Sequence, residues 1–261
     1  DVPATLVGLL FGVVTVFAGA FFHHVSPVFL VSNVTALLIV LGGALAATLA
    51  SFEMSATSGV FKAIMRAVLP KEMPDGAGTL KTLVEFARKA RHEGLLSLES
   101  EVVGLEDAFM RRGLQLAIDG SDPDAVAQVM RTDIRAMKAR HKVAADWCQS
   151  FGIFAPTFGI IGAVIGLIAT LGHLEEPDKL GAGIASAFVA TFLGVFIANG
   201  VMLPLSNRLK RLSAQEVQAR EMVLEGVIAI QGGQNPRVIE ETLMSYLSPS
   251  DAESLRATSD A

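Results

Sequence analysis

The stretch IFAPTFGIIGAVIGLIATLG, residues 153–172, has no charged residue, one proline and four glycines. About twenty apolar residues in a helix span the hydrocarbon core of a bilayer. Leucine throughout would satisfy lipid equally well. Proline and glycine weaken a helix, so their presence points to close contact with another helix, or to bending. Three more stretches are long and apolar enough to cross: residues 3–22, 28–51 and 180–205, with the quoted one completing a span at 151–172.

The predicted fold is an all-α membrane protein with four transmembrane helices. A helical cytoplasmic domain is inserted between spans two and three, and long helices extend from spans three and four. The boundaries are 1–51 for spans one and two, 52–150 for the insertion, 151–205 for spans three and four, and 206–261 for a C-terminal helix and tail. A signal peptide is the alternative reading of 3–22, but that stretch has no basic leader. Asp1 is an unusual first residue, and an initiator methionine is expected before it.

Composition agrees. Of 261 residues 51% are hydrophobic, which exceeds an ordinary soluble domain, and mean hydropathy is +0.50. A net charge of −5 carries no nucleic-acid footprint. The single cysteine, Cys148, excludes an intramolecular disulfide, and no CxxC, HExxH, GxSxG, P-loop or GxGxxG pattern occurs. Lys and Arg set the orientation: 14 fall in 52–150, 6 in 206–261, and Lys179 stands alone between spans three and four. The positive-inside rule then puts the insertion, the tail and the N-terminus in the cytoplasm.

The insertion reads as helical throughout. SATSGVFKAIMRAVLP (55–70) is periodic and ends at Pro70. TLKTLVEFARKARHEG (79–94) puts Leu80, Leu83, Val84, Ala87 and Ala90 on one face, with Gly94 as C-cap. GLLSLESEVVGLEDAFMRRGLQLAIDG (94–120) follows. SDPDAVAQVMRTDIRAMKARHKVAADW (121–147) opens on a Ser-Asp-Pro start and runs without interruption into span three, predicting one long helix. NRLKRLSAQEVQAREMVLEGVIAIQGGQ (207–234) extends span four similarly. Residues from about 248 onward are small, polar and acidic, which predicts disorder.

No Asp, Glu, Lys, Arg or His lies inside any span. Ion movement across a bilayer ordinarily needs an ionisable group at mid-depth. Either the chain transports nothing, or another polypeptide brings the carrier group. Small residues bear on this. Pro156, Gly159, Ala163 and Gly166 share one face of span three; Ala187, Thr191, Gly194 and Ala198 share one of span four. Gly8 and Gly12 on span one, and Gly42 to Ala47 on span two, offer similar surfaces. Such stripes either pack the four helices together or line a socket for a foreign helix. The ordinary fate of Thr191 is a hydroxyl bonded one turn back. Pro156 and Pro204, at matched depth near the cytoplasmic ends, each remove a backbone hydrogen bond and mark hinges.

APTFGIIGAVIGL (155–167) with ASAFVATFLGVFIANGVMLPLSNRL (185–209) resembles spans three and four of the flagellar motor stator A-subunits, the MotA/PomA family of the MotA/TolQ/ExbB superfamily. ARKARHEGLLSLE (87–99) resembles their cytoplasmic torque segment, and GVIAIQGGQNPRVIEETLMSYL (226–247) their C-terminal signature. The likeness runs in one register from Asp1 to about Leu247. It implies a non-enzymatic stator subunit in the bacterial inner membrane: a homopentamer around two copies of a single-span, MotB/PomB-like B-subunit that supplies the ion-carrying aspartate. Ion flow would turn the ring and drive the rotor protein FliG. No cofactor is implied.

Carried over residue by residue, Arg91 and Glu99 match the charged pair of the torque segment, with His92 and Glu93 accessory to rotor binding. Pro156 and Pro204 match the prolines that couple ion passage to motion, and Thr191 the span-four threonine beside the carrier. Sodium-driven relatives tend to place a threonine where this chain has Ala163. A methyl group offers no ligand for sodium, so the expected ion is the proton; Thr157 is the group that would favour sodium instead. Relatives often carry an acid where this chain has Ile153, and Asp146 is the candidate replacement. The nearest rival is an ExbB/TolQ energiser, typically of three spans. A self-sufficient transporter and an inert scaffold complete the alternatives.

Overall fold

The computed structural model describes residues 2–68 and 75–259, with side chains left undescribed at 2, 3, 56, 66 and 257–259. In chain order the helices are α1 (Val2–Phe22), α2 (Pro27–Ser32), α3 (Val34–Leu37), α4 (Gly43–Ser51), α5 (Met54–Val68), α6 (Gly76–Glu93), α7 (Glu99–Val103), α8 (Ala108–Ile118), α9 (Pro123–Leu171), α10 (Pro177–Phe196), α11 (Leu203–Gln231), α12 (Pro236–Met244) and α13 (Pro249–Ser259). Leu38–Gly42 and Ile197–Met202 are π-helical and Leu95–Leu98 is a 3₁₀ turn. No strand occurs among the described residues. Pro70, the expected end of the 55–70 helix, lies outside them. The chain forms two units: Asp1–Lys71 with His141–Leu212, and Glu72–Arg140 with Ser213–Ala261.

The first unit holds the apolar helices. Among the described residues, four helices are long and apolar enough to cross a membrane: Ala4–Phe22, Val34–Ser51, and parts of Pro123–Leu171 and Pro177–Gln231. Its core is small-residue packing around a few large groups: Val40, Ala44, Phe151, Ala155, Ala190 and Leu193 are buried, and Trp147 stacks on Phe151. Phe11, Phe22, Ile160, Ile168 and Phe188 point outward. Water would penalise that exposure, whereas hydrocarbon does not.

Span two departs from the uniform helix expected over 28–51. The helix breaks at Asn33, whose Oδ1 accepts from the Ala36 N–H at 3.0 Å and caps α3. Its Nδ2 donates to Ser186 Oγ at 2.5 Å, fixing the break against α10. Asparagine competes for backbone hydrogen bonds and so favours such a cap over a helix interior. Beyond the π-helical turn, Gly43 leaves room for a ring: a Cβ there would lie 2.1 Å from Phe158.

The second unit has a conventional core of Leu80, Leu83, Leu98, Val102, Leu114, Val227 and Leu243. The face predicted for 79–94 is the one buried, except that Ala90 is half-buried. The Ser-Asp-Pro start holds: Asp122 Oδ1 accepts from the Asp124 N–H at 2.9 Å, and α9 runs unbroken from Pro123 to Leu171. The stretch 94–120 is not one helix. It forms the 3₁₀ turn, α7, a helix-free stretch at 104–107, and then α8, which Asp107 caps through Phe109 N–H at 2.8 Å. The expected disorder beyond 248 is also corrected, because α13 occupies 249–259. Ser248 Oγ bonds Asp251 Oδ2 at 2.6 Å at its start, and Leu255 packs on the core. Composition alone missed this helix because one apolar contact and a serine cap suffice to seat it.

Gly94 ends α6 at φ 85°, ψ 162°, a region open essentially to glycine alone. Gly94→Ala is expected to destabilise the second unit by about 1–3 kcal/mol, read as a lower melting temperature of the purified protein.

Candidate functional site

In the apolar unit the glycine faces of α9 and α10 meet backbone to backbone. A Cβ on Gly159 would lie 2.9 Å from the Ala190 carbonyl oxygen. On Gly194 it would lie 2.6 Å from the carbonyl oxygen of Ala155 and 3.1 Å from Pro156 Cα. On Gly166 it would lie 3.3 Å from Ala187 Cβ. Gly159, Gly166, Ala187 and Gly194 therefore serve to pack spans three and four against each other. Pro156 and Thr191 contribute backbone to this seam, Pro156 Cα lying 3.1 Å from a Cβ on Gly194 and Thr191 Cα 3.3 Å from one on Gly159. Both are half-buried, as is Ala163, and Thr157 is exposed. On α1, a Cβ added at Gly8 or Gly12 would meet nothing within 4 Å beyond its own helix.

The threonines divide into two groups. Thr15, Thr48 and Thr170 each donate to the carbonyl four residues back at 2.7 Å, the usual solution in an apolar helix. Thr157 and Thr191 make no side-chain hydrogen bond among the described residues. Thr35 on α3 likewise makes none, and it lines a cavity with Gly162, Gly166 and Ala190. Beside Thr157, Pro156 lies inside α9 without a donor for the carbonyl of Gly152. Pro204 lies two residues past the π-helical turn Ile197–Met202. Turns of that kind recur where helices serve function.

Two ties just beyond the spans escaped sequence reasoning. Ser206 Oγ, buried, donates to the Ala145 carbonyl at 2.8 Å, and Lys210 Nζ donates to Gln149 Oε1 at 2.5 Å. Both link α9 to α11 immediately after Pro204; a single serine in a polar run carries no signal for this. Asp146, the candidate replacement for the acid missing at Ile153, takes Lys142 Nζ at 2.5 Å, while Ile153 is exposed.

In the second unit Arg91 and His92 lie in the last turn of α6 and Glu99 opens α7, all exposed. Helix dipoles favour a cation at the first position and an acid at the second. Arg91 and Glu99 have no ion-pair partner among the described residues. Their neighbours do: Lys89 bonds Glu101, and Arg88 approaches Glu240 at 3.8 Å. The Glu101 hydrogen bond, its charge and that of Glu93 hold the Lys89 ammonium above the usual lysine value. No cluster suited to a metal occurs among the described residues.

Residues 101–222 match the model of the MotA/TolQ/ExbB proton channel family. Motility protein A of Bacillus subtilis (strain 168) is 37% identical over 254 residues, 95% of this chain and 91% of that one. The chain belongs to this family. Chemotaxis protein PomA of Vibrio alginolyticus is 34% identical, covering 94% of each chain. Among solved structures, the flagellar MotAB stator complex from Bacillus subtilis superposes with a TM-score of 0.88 at 36% identity, over 95% of this chain and 97% of that one. As a member of a channel family this protein is not an enzyme, and its relatives are flagellar stator proteins.

In this family member the α9–α10 seam leaves no space for a side chain at Gly194. Gly194→Val is expected to separate the two helices and sharply reduce the yield of folded protein in membranes, measured by gel filtration of detergent extracts.

Proposed function

We propose that the protein is the A-subunit of an ion-driven flagellar stator, and that it moves protons only together with a single-span B-subunit that brings the titrating carboxylate. The observation that supports this reading is the seam itself: two helices packed backbone to backbone and uncharged through the apolar stretch, with Thr157 and Thr191 hydroxyls that make no hydrogen bond among the described residues. A carboxylate entering there meets oxygen ligands and no competing charge. A foreign helix would sit against the margin of the seam rather than in the glycine groove, which spans three and four fill themselves.

On this reading five copies surround two B-subunits in the bacterial inner membrane, with both termini in the cytoplasm. Ala163 offers no oxygen where a sodium ion would need one, which favours the proton as the coupled ion; Thr157 is the group through which sodium would act. One charge crossing 100 mV releases about 2.3 kcal/mol, enough to bias a rotation step. Hinged ends at Pro156 and Pro204 would pass that step into α9 and α11. Arg91, Glu99 and the accessory His92 would meet the rotor protein FliG. An ExbB/TolQ-type energiser is the second reading, supported by the breadth of the matched family; four long apolar helices rather than three favour the stator.

Two experiments test the proposal. Reconstituted with a B-subunit bearing a membrane aspartate, the chain should conduct with a proton gradient and continue when sodium is replaced; conduction by the chain alone refutes the borrowed carboxylate. Reversing Arg91 or Glu99 to the opposite charge should impair swimming with assembly unchanged. Loss of assembly would assign the pair a structural role instead.

A further inference from the structure

The second unit contains an exposed apolar strip that neither its core nor a membrane explains. Leu96 is 72% exposed and Val103 67%. They are the two most exposed large apolar side chains of that unit among the described residues, ahead of Val238 at 54%. Leu96 lies in the 3₁₀ turn and Val103 ends α7, both on the outward side of a segment whose Leu98 and Val102 are fully buried at 0%. The core is therefore already filled from this segment, and the outward residues are surplus to folding.

Charge surrounds the strip unevenly. Glu93, Glu99 and Glu106 are exposed and without an ion-pair partner among the described residues, against two cations that also lack one, Arg91 and Arg111, the second donating to the Leu105 carbonyl at 2.7 Å; Lys89 and Glu101 pair with each other. An acidic rim repels anionic lipid headgroups. It also repels a second copy of the same surface, since a self-complementary contact sets each acid near another. What it suits is a protein face with a shallow apolar recess edged by lysine or arginine, plus one carboxylate for Arg91.

We propose that Leu96 and Val103 are the apolar anchor through which this protein docks on the rotor. The proposal rests on the reading above, that Arg91 and Glu99 face the rotor protein, and extends it to the residues that hold the contact. Exposed charges steer an encounter and set its register while adding little affinity. Affinity comes from a few apolar side chains desolvated at the centre of a polar ring. Leu96 falls between Arg91 and Glu99 in the chain, so the anchor is continuous with the charged pair. Two side chains make a small anchor, which suits a contact that must be made and released repeatedly.

The test uses the full complex with its B-subunit, and FliG as the probe, in a binding assay. Variants are Leu96→Ser, Val103→Ser, the double change, the conservative Leu96→Met, and Arg91→Glu as a check on the underlying reading. Each serine variant should weaken binding about tenfold, the methionine variant should bind as the parent, and melting temperature and oligomer size should not move. Parental affinity in the double variant, with Arg91→Glu weakened, overturns the anchor and leaves the charged contact standing. Parental affinity in both overturns the rotor-facing reading as well. Breakdown of the oligomer on Leu96→Ser would assign the strip to a contact between subunits and overturn the proposal.

Discussion

The membrane half of this protein depends on one contact: two helices whose backbones touch because side chains are absent. At Gly194 a single added carbon would sit 2.6 Å from the carbonyl oxygen of Ala155, closer than atoms can approach. In lipid no hydrophobic force draws helices together, so shape and van der Waals contact must do it. Glycine is costly in an isolated helix. Here it allows a seam that leucine would hold open. The backbones of Pro156 and Thr191 are part of that seam, while their side chains are half-buried.

That arrangement separates two roles which the residues of one stripe had shared. The smallest residues close the pair, and the residues next to them remain available. Thr170 is buried, with its hydroxyl spent on the helix backbone. Thr191 is half-buried, with its hydroxyl unspent. Ser206 and Lys210 tie α11 to α9 through the Ala145 carbonyl and Gln149.

The second unit follows ordinary aqueous rules. Its core is leucine, valine and methionine, its helix ends are capped by Asp107, Asp122 and Asn235, and its ion pairs are on the surface. Arg91 and Glu99 are exposed and without an ion-pair partner among the described residues, while Lys89 and Glu101 nearby pair with each other. Leu96 and Val103 are notable because the core beneath them is complete.

Much of this was readable before any coordinates. Twenty-residue apolar runs, the Ser-Asp-Pro start and the Gly94 stop are local features, and local physics sets them: hydrophobic length, capping and the freedom of glycine to adopt positive φ. The uninterrupted passage into span three was legible for the same reason. Tertiary structure decided the rest. The break at Asn33 depends on Ser186, far along the chain; the seating of α13 depends on a core elsewhere in the sequence; and which small residues close the seam depends on how two helices face each other. Periodicity assigns a residue to a side of its own helix, but only packing determines what that side meets.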